Sequence, residues 1–254
     1  YVSASGGTIE DWPRVKLMVE ADPGVLSAAP LIEMEGMIRT SRSLNGVLVH
    51  GVSPDAEVAL SGNTINFVGG SLDVLVSGER SIVLGRFLAI DLGVDIDDGV
   101  VLLIPRPDGI GSLEPVLERY IVRGVFEAGV QDHDATLALV HIDDAARLMS
   151  LGNAVSSIRF LTDDVMSAPN VAVRLADSLG EGFSTSDWTI ENESYFRAIS
   201  LEKMMMSILL SLIIGVAAFN IVASLVMVVT DKTTDIAILR TLGMGPNDLV
   251  KVFF

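Results

Sequence analysis

The sequence predicts an α+β domain followed by one transmembrane helix and a short amphipathic helix. Three observations lead to this prediction. The 254 residues have a mean hydropathy of +0.51 although 20% of them are charged, so the apolar excess must lie in one part of the chain. Residues 204–230 contain no Asp, Glu, Lys, Arg or His. Residues 1–203 show strand and helix patterns in alternation, without a long linker.

The first 80 residues predict one helix and two strands. Residues 9–21 have apolar side chains recurring on one helical face, and Pro13 suits a first turn. Val- and Leu-rich runs at 25–38 and 45–52 predict strands. Residues 54–79 are rich in Gly, Ser and Asn, so we expect loops and short elements there.

Strands and helices alternate through the rest of the domain. Apolar runs predict strands at 81–84, 99–104, 119–127, 135–141, 156–162 and 183–190. Helical spacing predicts helices at 85–92, 143–151 and 169–179. Residues 193–203 are expected to begin a helix that continues into the apolar segment. The outer pieces 9–45 and 142–190 are expected to pack together, with 46–141 inserted as a more β-rich unit, which gives two subdomains.

The uncharged segment 204–230 is long enough to cross a membrane. A hydrocarbon core of roughly 30 Å needs about 20 helical residues, and 27 residues at ~1.5 Å each span about 40 Å. A helix buried in a soluble protein is the alternative, but such helices rarely contain more than about 14 apolar residues without a charge. We therefore predict a transmembrane helix.

The charges divide at the same point. Of 17 Lys and Arg, 14 precede residue 204, and of 33 Asp and Glu, 30 do, so residues 1–203 carry the formal charge of −16. The cations after the span favour a cytoplasmic tail and an outward-facing domain, although Lys203 flanks the other end. A domain this acidic is not expected to bind nucleic acid. Residues 244–254 are expected to begin another span, and an earlier span is expected to deliver the domain outward.

No motif in the sequence is typical of catalysis or metal binding. His50, His133 and His141 lack the spacing of ligands on one helix. The run Asp95–Asp98 lacks the Glu that a calcium loop needs at its twelfth position, which Arg106 occupies. Phosphate-binding glycine loops and nucleophile elbows are absent. We therefore expect no catalytic residue, no metal and no cofactor.

A proline- and glycine-rich segment, residues 105–115, separates two predicted strands. Hairpin loops usually have about two to five residues, and this segment is twice as long. It is either a plain surface loop or a protruding hairpin that docks a partner. Its candidate docking residues are Pro105, Arg106, Pro107, Ile110, Leu113 and Pro115.

The span itself has two features that predict contact with other helices. Ser207, Ser211 and Gly215 recur every four residues, and small side chains let helix backbones approach closely. Asn220 is a strongly polar residue near the middle, where an amide facing lipid is costly. A lone anchor helix would need neither feature.

A short helix is predicted after the span. Asp231 suits its N-cap and Gly243 the position just past its end. Ile236, Leu239 and Leu242 form a narrow apolar stripe. Such a helix can lie on the membrane or insert into a cytoplasmic partner.

Residues 216–243 closely resemble the second transmembrane helix and coupling helix of LolC and LolE, the permeases of lipoprotein-releasing ABC transporters, and more distantly those of MacB-type permeases. The resemblance continues through 187–206, 142–160, 81–94 and 47–54, and it covers essentially the whole chain. These permeases have four spans and a large periplasmic domain between the first two. The resemblance therefore implies a MacB-like periplasmic domain over 1–203, the second span over 204–230 and a coupling helix over 231–243.

The resemblance also implies a function. A second permease subunit and two copies of a cytoplasmic ATPase similar to LolD would complete the transporter in the bacterial inner membrane. ATP hydrolysis by that partner would extract lipoproteins from membrane lipid and pass them to a periplasmic carrier similar to LolA. Two alternatives are a MacB-like efflux or mechanotransmission permease, and a signalling permease that regulates a cell-wall enzyme.

The resemblance implies roles for individual residues. The ATPase-coupling residues would be Asp231, Lys232, Asp235, Ile236, Leu239, Arg240, Leu242 and Gly243. The lipid cavity and helix packing would involve Met205, Ser207, Ser211, Leu212, Gly215, Phe219 and Asn220. Residues 105–115 match the hairpin with which the LolC type grips its carrier. The segment is slightly shorter here, and Leu117 and Glu118 replace polar and basic residues of that type.

Overall fold

The computed structural model describes residues 1–61, 66–107, 113–245 and 248. The chain separates into two compact units, Tyr1–Glu191 and Asn192–Phe254. The first is an α+β domain and the second is helical, which confirms the predicted fold class.

The first unit contains ten strands and seven helices within the described residues. The strands are β1 Val2–Ala4, β2 Val25–Arg39, β3 Leu44–Val52, β4 Asn66–Gly69, β5 Ser81–Gly85, β6 Gly99–Pro107, β7 Leu113–Glu127, β8 Leu137–His141, β9 Ser157–Thr162 and β10 Phe183–Thr185. The helices are α1 Trp12–Glu20, α2 Pro54–Ser61, α3 Arg86–Leu92, α4 Gln131–Thr136, α5 Ile142–Met149, α6 Ala168–Leu179 and α7 Trp188–Glu191. Short 3-10 turns lie at Leu72–Val74 and Val165–Ser167.

Six of the strands pair in a closed ring. Along the ring, β2 pairs with β3, β3 with β8, β8 with β5, β5 with β7, β7 with β6, and β6 returns to β2. The β3–β8 and β5–β7 pairs are parallel and the others antiparallel. Each ring strand contributes to one apolar core, through Ile38, Val49, Ile82, Leu102, Tyr120 and Val140. Closure of the ring leaves these strands without a free edge over the paired region.

A second group of strands extends from the start of β2. There β9 pairs with residues 25–31 of β2, β1 pairs with β9, and β10 pairs with β1. Helices α1 and α6 add Val15, Val19, Val171 and Leu175 to the same core. The fifteen-residue strand β2 thus belongs to both groups. Division of the domain into outer pieces and an inserted unit remains a prediction.

The close approach of β6 to β2 depends on a glycine. A Cβ atom on Gly36 would lie 2.4 Å from Ile104 Cδ1 and 2.5 Å from the carbonyl oxygen of Leu103. Both distances are far below van der Waals contact, so no larger residue fits unless β6 moves. Gly36 therefore lets the ring close at this point.

The second unit consists of α8, Glu193–Asp231, and α9, Thr233–Thr241. The 39-residue helix α8 is continuous from the charged segment through the apolar one, as predicted. It is long and apolar enough to cross a membrane. Helix α9 ends as predicted: Gly243 has a φ of 93°, its N–H donates to the Arg240 carbonyl, and the Met244 N–H donates to the Leu239 carbonyl. These two bonds form a Schellman motif.

Several predicted boundaries were wrong. Asp231 is the last residue of α8, and Lys232 occupies the N-cap position of α9 without a capping side-chain bond. The strand predicted at 183–190 stops at Thr185, because Asp187 accepts from the Thr189 N–H at 2.7 Å and starts α7. The strand predicted at 135–141 begins at Leu137, after helix α4.

Candidate functional sites

The predicted docking segment lies at the end of a long hairpin formed by β6 and β7. The register runs from Gly99 opposite Ile121 to Pro107 opposite Leu113. Among the described residues, β2 pairs with β6 only at 101–103, and β5 pairs with β7 only from Ile121 onward. Residues 104–107 and 113–116 therefore form a two-stranded extension, which we call the arm. Ile110 lies outside the described residues.

One face of the arm and its base is apolar and exposed. Met37, Leu103 and Leu117 are directly opposite one another in adjacent strands, so their side chains share a face. Pro105 and Pro115, the next pair on this face, are both exposed. Leu113 is 65% exposed, Leu117 56% and Met37 45%. An exposed apolar row of this kind is typical of an interaction surface.

Arg106 of the arm is engaged within the molecule. Its Nη2 donates to Glu114 Oε2 at 2.7 Å, directly across the hairpin. Its Nη1 donates to Ser150 Oγ at 2.9 Å and to the Leu148 carbonyl at 3.5 Å, at the end of α5. Only 27% of the side chain is exposed. Sequence reasoning missed Ser150 and Leu148, which are distant in the sequence; only the opposite charges of Arg106 and Glu114 gave a signal.

Helix α9 presents two different apolar pairs. Ile236 and Leu239 are half-buried, whereas Ile238 is 54% exposed and Leu242 78% exposed. Ile238 and Leu242 are four residues apart and so share a helical face. Ile238 was not among the predicted coupling residues, although its spacing from Leu242 could have indicated it.

The charged residues of α9 support its two ends. Lys232 Nζ donates to Asp235 Oδ2 at 2.9 Å, across the first turn. Arg240 lies in the last turn, where a cation is favourable beside the unpaired carbonyl groups. Lys232 and Asp235 are both about half-exposed, so their ion pair contributes little to stability. Both side chains remain accessible to another protein.

The predicted residues of α8 fall on different faces of the helix. At about 100° per residue, Ser207, Ser211 and Gly215 form one stripe, while Asn220 lies on the opposite side. A third stripe contains Met205, Leu212 and Phe219, which recur every seven residues. The hydroxyl groups of Ser207 and Ser211 donate to carbonyls one turn earlier, both at 2.8 Å. The small stripe is therefore compact and its hydroxyl donors are satisfied within the helix.

The most strongly perturbed histidine lies in the sheet, away from the arm. Burial, the positive charge of Arg159 and that of His133 together lower the pKa of His50 to about 4. Its Nε2 is 3.6 Å from Glu33 Oε1, too long for a hydrogen bond. Nearby, Arg159, which is partly exposed, forms an ion pair with the buried Glu57 of α2. This arrangement supports α2 on the sheet.

A second buried titratable group lies at the base of the hairpin. Burial and the nearby carboxylate of Asp144 raise the pKa of Tyr120, which is fully buried in the core.

In the part of the chain that the structure describes, no group of three or more His, Asp or Glu side chains could hold a metal ion.

Comparison with known proteins identifies the relatives of this chain. It is 39% identical over 254 residues to the lipoprotein-releasing system transmembrane protein LolC of Xylella fastidiosa strain Temecula1, covering 99% of this chain and 61% of the relative. LolC of Neisseria meningitidis serogroup B is 37% identical over 251 residues, covering 97% of this chain and 60% of the relative. LolE of Haemophilus influenzae is 28% identical over 255 residues, with 99% and 60% covered. The chain thus spans about three fifths of these relatives' length.

Two solved structures are similar to parts of this chain at low sequence identity. The extracellular domain of the noncanonic ABC-type transporter YknZ has a TM-score of 0.46 and 12% identity, covering 71% of this chain and 90% of that one. The periplasmic region of MacB from Actinobacillus actinomycetemcomitans has a TM-score of 0.46 and 11% identity, covering 72% and 81%. No protein-family model matches the chain. Over nearly its whole length, this chain is therefore similar to LolC and LolE, the lipoprotein-releasing system transmembrane proteins.

Proposed function

We propose that this chain is part of a permease subunit that extracts lipoproteins from the bacterial inner membrane and passes them to a periplasmic carrier. The observation that carries the proposal is 39% identity to a LolC protein along essentially the whole chain. The protein would be a multi-pass membrane protein with residues 1–203 in the periplasm. A LolD-like ATPase and a second permease subunit would complete the transporter, and no catalytic step would fall to this chain.

Helix α9 is proposed to transmit the motion of the ATPase. It follows α8 after a single residue, is short and accessible, and is closed at its C-terminal end by the Schellman motif. Apolar side chains on a rigid helix can fill a groove of a partner, in the way other amphipathic helices do. Ile236, Leu239 and Leu242 are the proposed groove residues, and Asp231, Lys232, Asp235 and Arg240 the polar contacts; Gly243 ends the helix.

The arm is proposed to dock the periplasmic carrier. Its exposed apolar face offers Leu113 and the two prolines Pro105 and Pro115 to a partner. A proline-stiffened hairpin loses little conformational entropy on binding, because proline fixes its own backbone angle φ. The carrier surface that receives the arm would be predominantly apolar.

Helix α8 is proposed to contact both lipid and protein. The Met205, Leu212 and Phe219 stripe would line the cavity that holds the acyl chains, since flexible and large apolar side chains adapt to lipid. The Ser207, Ser211 and Gly215 stripe would pack against another helix.

The coupling role is tested by a charge placed on the apolar stripe. Leu239→Asp is expected to abolish lipoprotein release and release-coupled ATP hydrolysis in proteoliposomes containing the permease, its partner subunits and the carrier, while insertion stays normal. Thr234→Asp places the same charge elsewhere on α9 and is expected to keep both activities, because Thr234 lies away from the stripe. Wild-type activity of the Leu239 variant would reject the coupling role.

A further inference from the structure

Only the base of the arm is held by the core, through Ile104 and Val116, so its outer part needs another support to keep one direction. An isolated two-stranded hairpin is at best marginally stable in water. The arm has neither β2 nor β5 as a third strand, within the residues that the structure describes. Contacts from the arm to other elements therefore decide how rigidly it is held.

Arg106 provides contacts both within the arm and from the arm to the rest of the domain. The guanidinium joins the two strands of the arm through Glu114, and it joins the arm to the domain through Ser150 and Leu148. A planar guanidinium presents its donors in a fixed fork, so simultaneous bonds to three acceptors define its position. The end of a helix is also where unpaired carbonyl groups favour a cation.

The receiving end of α5 is itself held firmly. Leu148 is buried in the core, and Ser150 adopts the left-handed conformation that ends the helix, with a φ of 56°. Ala145 of α5 packs so closely on β3 that a Cβ atom on Gly51 would come within 2.3 Å of it. Asp144 is buried and accepts from the Gly78 N–H at 2.8 Å. An arm bonded to this helix end is thus fixed relative to the ring.

We infer that Arg106 is a positioning residue, which sets the direction of the arm for the carrier instead of touching the carrier itself. The inference rests on the proposed docking function of the arm. A preoriented arm binds more tightly than a mobile one, because less ordering entropy is lost on association. Loss of the bonds to α5 should therefore weaken docking without removing any contact surface.

The test measures arm direction and carrier capture in the same variants. The chain has no cysteine, so spin labels can be attached to new cysteines at Leu113 in the arm and Arg14 in α1, both exposed. Distances between the labels are recorded by electron paramagnetic resonance on the intact permease with its partner subunits in nanodiscs. Carrier capture is measured separately, by photocrosslinking from Leu117 in the unlabelled protein.

Two variants remove the support in different ways. Arg106→Gln removes all three bonds, and Ser150→Gly removes the hydroxyl acceptor while suiting the left-handed backbone. Arg123→Gln is the matched control, because Arg123 is also an arginine of this strand pair, in β7, and it pairs with Asp97 away from the arm. Ser150→Gly should broaden the distance distribution and lower carrier capture about fivefold, the effect of one lost hydrogen bond of ordinary strength. Arg106→Gln, which loses three bonds, should do both to a greater extent. The control should change neither.

Three other outcomes would contradict the positioning role. If Arg106→Gln lowers capture while the distance distribution stays as narrow as in the parent protein, Arg106 contacts the carrier directly and the positioning role is wrong. If both test variants leave distances and capture unchanged, the positioning role is also wrong. If the parent protein captures no periplasmic carrier from Leu117 although the distances broaden in both variants, the docking function fails and the positioning inference falls with it.

Discussion

Replacement of Gly36 tests whether the ring of strands closes as described. Gly36→Ala adds one methyl group at a site where the Leu103 carbonyl oxygen would be 2.5 Å away. This oxygen belongs to the backbone of β6, so relief requires β6 to move away from β2. Overpacking of this kind costs about 1–3 kcal/mol. For a domain of this size, about 2 kcal/mol should lower the Tm by roughly 4–8 °C.

Gly46→Ala is the matched control. Gly46 lies in β3, opposite Met37 of β2, and a Cβ atom there would have no neighbour within 4 Å. Alanine in place of glycine at a compatible position stabilises by about 0.4–1 kcal/mol, through the unfolded chain. Unfolding can be followed by tryptophan fluorescence, since Trp12 and Trp188 are the two tryptophans and both lie in the first unit. Equal Tm values for the two variants would refute the close packing of β6 on β2.

Two further predictions concern the same domain. The lowered pKa of His50 means that the unfolded chain takes up its proton first as the pH falls, so the stability present above pH 6.5 is lost toward pH 4. Between pH 7.5 and 5 this residue should lower the free energy of unfolding by about 2 kcal/mol. His50→Leu should remove that part of the pH dependence, measured by urea titration at both pH values. An unchanged dependence of the free energy of unfolding on pH would contradict the assignment. Asp22 accepts from Arg174 Nε at 3.0 Å and Nη2 at 2.7 Å, which lowers the pKa of the Asp22 carboxyl. Asp22→Asn should cost about 1 kcal/mol, and calorimetry showing no loss would indicate that the pair does not support α1 on α6.

Local patterns in the sequence predict most of the elements of this fold. The uncharged run 204–230 predicts the long helix, because it is too long for the core of a soluble protein. Gly243 predicts the end of α9, because glycine tolerates a positive φ. Helix α4 was missed because no apolar period supports it. It is held instead by the buried carboxylate of Asp134, which accepts from the N–H groups of Ala128 and Gly129.

Long-range pairing could not be predicted from local patterns. The ring closes because β6 meets β2 some 65 residues earlier in the chain, and no period of apolar residues encodes that partner. The predicted strands at 99–104 and 119–127 were too short for a related reason. Their extensions to Pro107 and Leu113 contain three prolines and charged residues, which local propensity assigns to loops. Pairing across the hairpin overrides that propensity.

The candidate sites were predictable to different extents. The apolar stripe of α9 and the small stripe of α8 follow from helical spacing, which needs no tertiary information. The role of Arg106 does not, because its acceptors at Leu148 and Ser150 are more than 40 residues away. In the sequence, a cation beside two prolines is interpreted as a docking residue. Only the folded chain shows that its guanidinium N–H groups bond to acceptors within the domain.

The proposed transport function requires that α8 separate the domain from α9 by a membrane. Cysteines introduced singly at Ser184 and Asp231, both exposed, can be labelled in intact cells with a maleimide that crosses the outer membrane but not the inner one. We expect labelling of Ser184→Cys alone, with Asp231→Cys becoming reactive only after the inner membrane is permeabilised. Labelling of both sites in intact cells would place them in one compartment and contradict the transporter function.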